Sequence, residues 1–102
     1  MYIPGVGGIV RLGSVTKWTR RNKITLYLGE FAGGYTSNCA IEVYNHISYM
    51  ESNRDVWKGW TVWGGNFPSN YMYYIDPIGN YPTSYTNNPL LSFYTPFFNK
   101  TF

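Results

Sequence analysis

At 102 residues the chain holds one modest domain or part of a larger one, and excludes two. Charged residues are only 13% and aromatics 21%, with Tyr contributing 11, a bias that suits a surface which both stacks on its partner and hydrogen-bonds it, as sugar-binding surfaces do. The net charge of +3 is scattered apart from Arg20-Arg21-Asn22-Lys23 and does not interleave with the aromatics, which argues against nucleic acid; a lone cysteine and a lone histidine leave no internal disulfide and no cysteine-based zinc site, and no stretch is apolar for the length of a membrane helix.

The opening "MYIPGVGGIV" lacks the charged start and long apolar core of a signal peptide, so Met1 carries no information about compartment. From Ile9 to Arg21 the apolar residues Ile9, Leu12, Val15 and Trp18 recur every three positions, as on one helical face, and the segment closes on its basic turn, where cations complement the helix dipole. The period then changes. In "KITLYLGE" Ile24, Leu26 and Leu28 alternate with Thr25, Tyr27 and Gly29, the pattern of a strand that ends at Glu30.

After a Gly33-Gly34 bend, "TSNCAIEVYNHISYMESN" offers Ser37 or Asn38 as a cap for a helix over 38–52, with a stripe of Ala40, Tyr44 and Ile47 flanked by Val43 and Met50. His46 falls among its core positions and reads as a satisfied packing residue. A turn at Arg54-Asp55 leads to "VWKGWTVW" (56–63), a second strand nearly continuous in large apolar groups, as in strands covered on both faces. Trp57 and Trp60 suit its core, and Trp63, on the opposite face from Trp60, ends it. Beyond Gly64-Gly65 the composition turns to Asn, Pro, Ser, Tyr and Thr without a period, and one helical turn is expected around Leu90 to Tyr94 in the patch "LLSFYTPFF".

Helix, strand, helix, strand is an α/β alternation with parallel strands and a right-handed crossover. Two parallel strands cannot cover themselves, so the chain reads as a piece of a larger α/β protein.

"LGEFAGG", a cysteine, a helix and then "ESNRDVWKGWTVWGGNFPSNYMYYIDP" together resemble the C-terminal quarter of family five of the glycoside hydrolases, the secreted endo-β-1,4-glucanases (cellulases), from about Leu12 to Pro77. Gly-Glu-Phe at one strand end combined with Gly59-Trp60 and Trp63 on the next carries the resemblance. It implies an α/β fold that is the C-terminal part of a (β/α)8 TIM barrel, about helix 6, strand 7, helix 7 and strand 8 of an architecture of about 250 residues. Residues 1–102 would then be a partial catalytic domain.

By the same resemblance Glu30 is the nucleophile of a retaining glycosidase, a carboxylate that attacks the anomeric carbon opposite the leaving sugar. Trp63 is the platform under the sugar ring next to the cleaved bond, and Phe67 lines the cleft. Read without the resemblance, Glu30 is a surface or helix-entry carboxylate, Trp63 a core tryptophan and Phe67 a loop-packing residue. The implied partner is a β-linked polysaccharide, with no cofactor, and the implied location is outside the cell; oligomeric state is left open.

Retaining hydrolysis needs a second carboxyl group about 5–5.5 Å from the first. Glu42 and Glu51 fall on the helix running away from the active face, Asp55 in the turn at the opposite end of the barrel, and Asp76 reads as structural. In the family the acid/base glutamate follows strand four in an Asn-Glu-Pro motif that this chain does not contain, so the chain alone is expected to be inactive, losing about 10²–10⁴ from leaving-group protonation. Cys39, often bridged in such enzymes to a cysteine just ahead of the preceding helix, finds none in positions 1–8. Two other classes fit parts of the composition. A carbohydrate-binding module would show a β-sandwich, against the long helix at 38–52, and an interaction fragment would use its exposed tyrosines at a protein interface. Mannanases and xyloglucanases share the same barrel.

Overall fold

The structure, a computed structural model, describes residues 7–98, and of Gly7 to Val10 only the backbone. Helix α1 (Gly7–Arg21) leads to strand β1 (Leu26–Phe31), helix α2 (Ser37–Ser52) and strand β2 (Trp57–Val62). A hairpin of β3 (Ile78–Asn80) and β4 (Ser84–Thr86) follows, then two 3-10 turns at Pro89–Phe93 and Thr95–Phe97. β1 and β2 pair in parallel across the α2 crossover, and among the described residues no further strand joins them. Among the described residues the fold is mixed α/β with no closed barrel. None of the described helices is long and apolar enough to cross a membrane.

In α1 the buried side chains are Leu12, Thr16 and Thr19, whereas Val15 and Trp18 are 44% and 58% exposed, which corrects the expected stripe. The reason is geometric: a step of three falls about 60° short of a full turn, so a strict three-residue repeat winds around the helix, while positions 12, 16 and 19 stay within about 60° of one another. The side chain of Ile9 lies outside the described residues. Burying Thr16 is made favourable by its hydroxyl, which donates to Leu12 O at 2.6 Å and accepts from the Trp57 indole N–H at 2.9 Å. That bond ties α1 to β2.

The basic end of α1 does more than complement a dipole. Arg20 grips Asp55 with Nε to Oδ2 at 2.6 Å and Nη2 to Oδ1 at 2.9 Å, and Nη2 also reaches Asn53 Oδ1 at 2.8 Å. This clip fixes the turn ahead of β2, and the guanidinium holds the Asp55 carboxyl below its ordinary range.

Helix α2 is capped one residue earlier than expected, by Thr36, whose hydroxyl accepts from the Cys39 N–H at 3.1 Å. Val43, Ile47 and Met50 form its buried face; Tyr44 is exposed, its ring tilted against Phe97 at 5.5 Å, because position 44 lies on the shoulder of that stripe. Cys39 is a free thiol, half-buried.

The tail is more structured than its composition suggests. The β3–β4 hairpin was not foreseen, since both its strands are exposed throughout and carry no apolar alternation. The turn expected near Leu90 is present. Its cap, Asn88, accepts from Leu90 N at 3.0 Å and donates to Tyr74 O and Asp76 O at 3.0 and 3.3 Å, so one buried side chain joins the loop after β2 to the last turns. Leu90, Tyr94 and Phe97 then complete the core.

Candidate active site

The pairing of β1 with β2 runs Leu26↔Trp57, Leu28↔Trp60 and Phe31↔Val62, with an irregularity in each interval. β2 spends one extra residue in the first interval and β1 one extra in the second. These two bulges compensate. As a result Leu26, Leu28 and Phe31 on one strand and Trp57, Trp60 and Val62 on the other all reach the same core, which strict alternation would forbid for Trp57 and Trp60 together.

The other side of the pair is uncovered. There the Tyr27 ring lies across Gly59, where an added Cβ would meet Tyr27 Cε2 at 2.5 Å, and the phenol hydroxyl bonds Thr61 Oγ1. At the C-terminal end of this open side stand Glu30 and Trp63, both exposed. Glu30 is the penultimate residue of β1, which runs one residue past the expected end, and Trp63 lies one residue beyond β2. The two strand ends are tied by Trp63 N–H donating to Phe31 O at 2.8 Å. Behind Glu30, Phe31 stacks on His46 at 5.4 Å and meets Trp60 and Tyr94 edge-on at 5.7 and 6.1 Å, so the carboxylate is mounted on packed core.

Trp63 begins an aromatic cluster. Its ring lies 5.3 Å from Phe67, Phe67 stacks on Tyr71 at 4.4 Å, and Tyr71 meets Tyr73 edge-on at 5.6 Å. The Trp63 indole N–H donates to the Tyr71 hydroxyl at 3.0 Å, which fixes the ring without burying it. Sequence reading placed Trp63 and Phe67 here and missed Tyr71 and Tyr73, because only the general density of tyrosine signals a cluster built by a loop.

Two devices shape that loop. Gly64 sits at φ +137°, a conformation open essentially to glycine alone, and an added Cβ would lie 2.0 Å from Tyr73 O. Asp76 accepts the Asn66 N–H on both carboxylate oxygens at 2.9 Å. The bend after β1 packs on the same loop, with Gly34 against Met72 O.

A model of the family Cellulase (glycosyl hydrolase family 5) matches residues 9–66, which includes both paired strands and the helix between them. The chain belongs to glycosyl hydrolase family 5. Within that family, endoglucanase gh5-1 of Neurospora crassa is 40% identical over 91 residues, 87% of this chain and 23% of that protein. An endo-β-1,4-glucanase from Xanthomonas axonopodis pv. citri shares the fold with a TM-score of 0.76 at 35% identity, over 87% of this chain and 28% of its own. XacCel5A, solved in complex with cellopentaose, gives a TM-score of 0.73 at 32% identity, over 83% of this chain and 26% of its own. The chain thus spans about a quarter of the length of the family 5 relatives it matches, and Glu30 and Trp63 fall inside the matched span while Phe67 lies just past it.

The remaining carboxylates of this family 5 chain are committed elsewhere. Asp55 is held by Arg20, Asp76 by Asn66, and Glu42 and Glu51 belong to α2. Among the described residues no hydrogen bond or ion pair engages the Glu30 carboxylate. His46 packs half-buried as expected, but its Nε2 is buried without a hydrogen-bond partner among those residues, and burial lowers its pKa from the ordinary histidine value, with the charge of Glu42 pulling the other way.

Proposed function

We propose that these residues are helix 6, strand 7, helix 7 and strand 8 of a (β/α)8 barrel, and that the protein carrying them is a secreted, retaining endo-β-1,4-glucanase. The observation that carries this reading is the placement of Glu30 and Trp63: both exposed, side by side at the C-terminal ends of adjacent parallel strands, the edge where barrel enzymes gather their chemistry. The cellopentaose bound by XacCel5A supports a β-1,4-linked glucan backbone as the substrate.

In the proposed reaction a sugar ring lies on the Trp63 indole, with Phe67 along the cleft wall. The Glu30 carboxylate attacks the anomeric carbon as the glycosidic bond breaks, and the departing oxygen takes a proton from an acid glutamate supplied by the upstream part of the barrel. Water, deprotonated by that same glutamate, then displaces the sugar from Glu30 with a second inversion, so configuration is retained. The acid/base group belongs to the portion of the protein beyond this chain, since each of the other carboxylates here is tied to α2, to Arg20 or to Asn66. Residues 1–102 on their own are therefore expected not to cleave glucan.

The test is the full-length protein beside its Glu30→Gln variant on cellulose, mannan and xylan. Glu30→Gln should lower kcat on cellulose by roughly 10⁴ or more, as loss of a nucleophile does. In Glu30→Ala, azide should restore turnover and yield a glycosyl azide of inverted configuration, because the small anion occupies the nucleophile's side of the sugar. Normal turnover by Glu30→Gln refutes the assignment, and turnover by residues 1–102 alone refutes the need for an upstream acid.

A further inference from the structure

Trp63 is anchored by its backbone N–H, which donates to Phe31 O at 2.8 Å, but that bond leaves the indole free to turn about its side-chain torsions. What stops the turn is at the far edge of the ring. There the indole N–H donates to the Tyr71 hydroxyl at 3.0 Å, eight residues further along the chain. An indole has one donor and no acceptor, so with its proton committed to Tyr71 the ring offers a ligand its faces alone.

Tyr71 is itself held from several sides. Its N–H donates to Pro68 O at 2.9 Å and its carbonyl accepts from Tyr74 N at 3.0 Å, so consecutive turns fix its backbone. Its ring stacks on Phe67 at 4.4 Å and meets Tyr73 edge-on at 5.6 Å. The half-buried phenol is therefore a fixed point, and the exposed indole takes its direction from it. We propose that Tyr71 is a positioning residue for the glucanase reaction, setting through its hydroxyl the angle at which the Trp63 face meets the sugar ring held for Glu30. The inference rests on the reading of Trp63 as the platform. It adds that the platform's angle is set from the loop after β2 rather than by the strand that bears it, with no contact between Tyr71 and the sugar.

The experiment is a double-mutant cycle in the full-length protein, read as kcat/KM on a soluble β-1,4-glucan. Tyr71→Phe keeps the ring and its stack on Phe67 and removes only the acceptor, so it should lower kcat/KM by about three- to tenfold, the worth of one hydrogen bond. Trp63→Phe has no N–H to orient, so adding Tyr71→Phe to it should change kcat/KM by less than about twofold. In parallel, the Trp63 indole proton signal, assigned by its loss in Trp63→Phe, should move upfield in Tyr71→Phe as its hydrogen bond disappears. A parent rate in Tyr71→Phe, an unmoved indole signal, or the same fall with and without the Trp63 indole overturns the positioning role. The last of these is what direct sugar contact or a purely structural phenol would give. Trp63→Phe at the parent rate overturns the platform reading itself, and the positioning role falls with it.

Discussion

Gly64→Ala is the sharpest single test of how the loop after β2 is built. The glycine sits at φ +137°, where a side chain costs about 1–3 kcal/mol. A Cβ there would stand 2.0 Å from Tyr73 O, and since carbon and oxygen settle at about 3.3 Å, the carbonyl must withdraw by about 1.3 Å. Overpacking of that kind adds about 1–3 kcal/mol, so the loss of stability should be about 2 kcal/mol at the least. The same movement pulls on the Ile75 N–H to Gly64 O contact at 3.4 Å and displaces the adjoining Trp63 ring. If Trp63 is the proposed substrate platform, a shift of about 1 Å there costs about 10² in rate, so kcat/KM on a soluble β-1,4-glucan should fall by that order in the full-length protein. Urea denaturation and steady-state kinetics measure the two effects. Gly65→Ala is the control, since its added Cβ meets Asp76 Oδ1 at an ordinary 3.5 Å. If Gly64→Ala matched the parent within about twofold in kcat/KM and kept its urea midpoint, the account of the loop would be wrong.

Thr16→Val keeps the volume of the side chain and removes the acceptor of the buried Trp57 indole, which should destabilise the protein by about 1–3 kcal/mol in urea titrations; a cost under about 0.5 kcal/mol would show that the bond from α1 to β2 contributes little. The lowered pKa of His46 has a definite sign: the unfolded chain takes the proton first, so its contribution to stability is complete above about pH 6.5 and declines as pH drops through the lower folded value. His46→Gln should flatten that limb of the urea-midpoint profile. The depressed Asp55 carboxyl acts in a more acidic window, stabilising above about pH 3.9 and losing that contribution below it, so the two effects separate along the pH axis.

The alternation of helix and strand was legible because the hydrophobic period changes sharply at Lys23 and again at the Gly33-Gly34 bend. The inward face of α1 was not, since Thr16 and Thr19 look polar on paper: Thr16 becomes core through the distant Trp57 indole, and the Thr19 hydroxyl is buried without a hydrogen-bond partner among the described residues. Strand pattern alone put Trp57 and Trp63 on one face; the bulge between Trp57 and Trp60 separates them. Of the candidate site, Glu30 and Trp63 could be found because they fall at strand ends within the motifs that carry the family resemblance, and Phe67 by that resemblance. Tyr71 could not: its bond to Trp63 spans eight residues of loop without a repeating pattern.

The paired bulges also limit how this segment can change over time. Side chains on the open side can be exchanged while the sheet keeps its outline, but dropping one residue between Leu28 and Phe31 would leave the extra residue of β2 uncompensated and set the two strand ends one residue out of register. Spacing, more than chemical identity, is what descendants of this chain must inherit there.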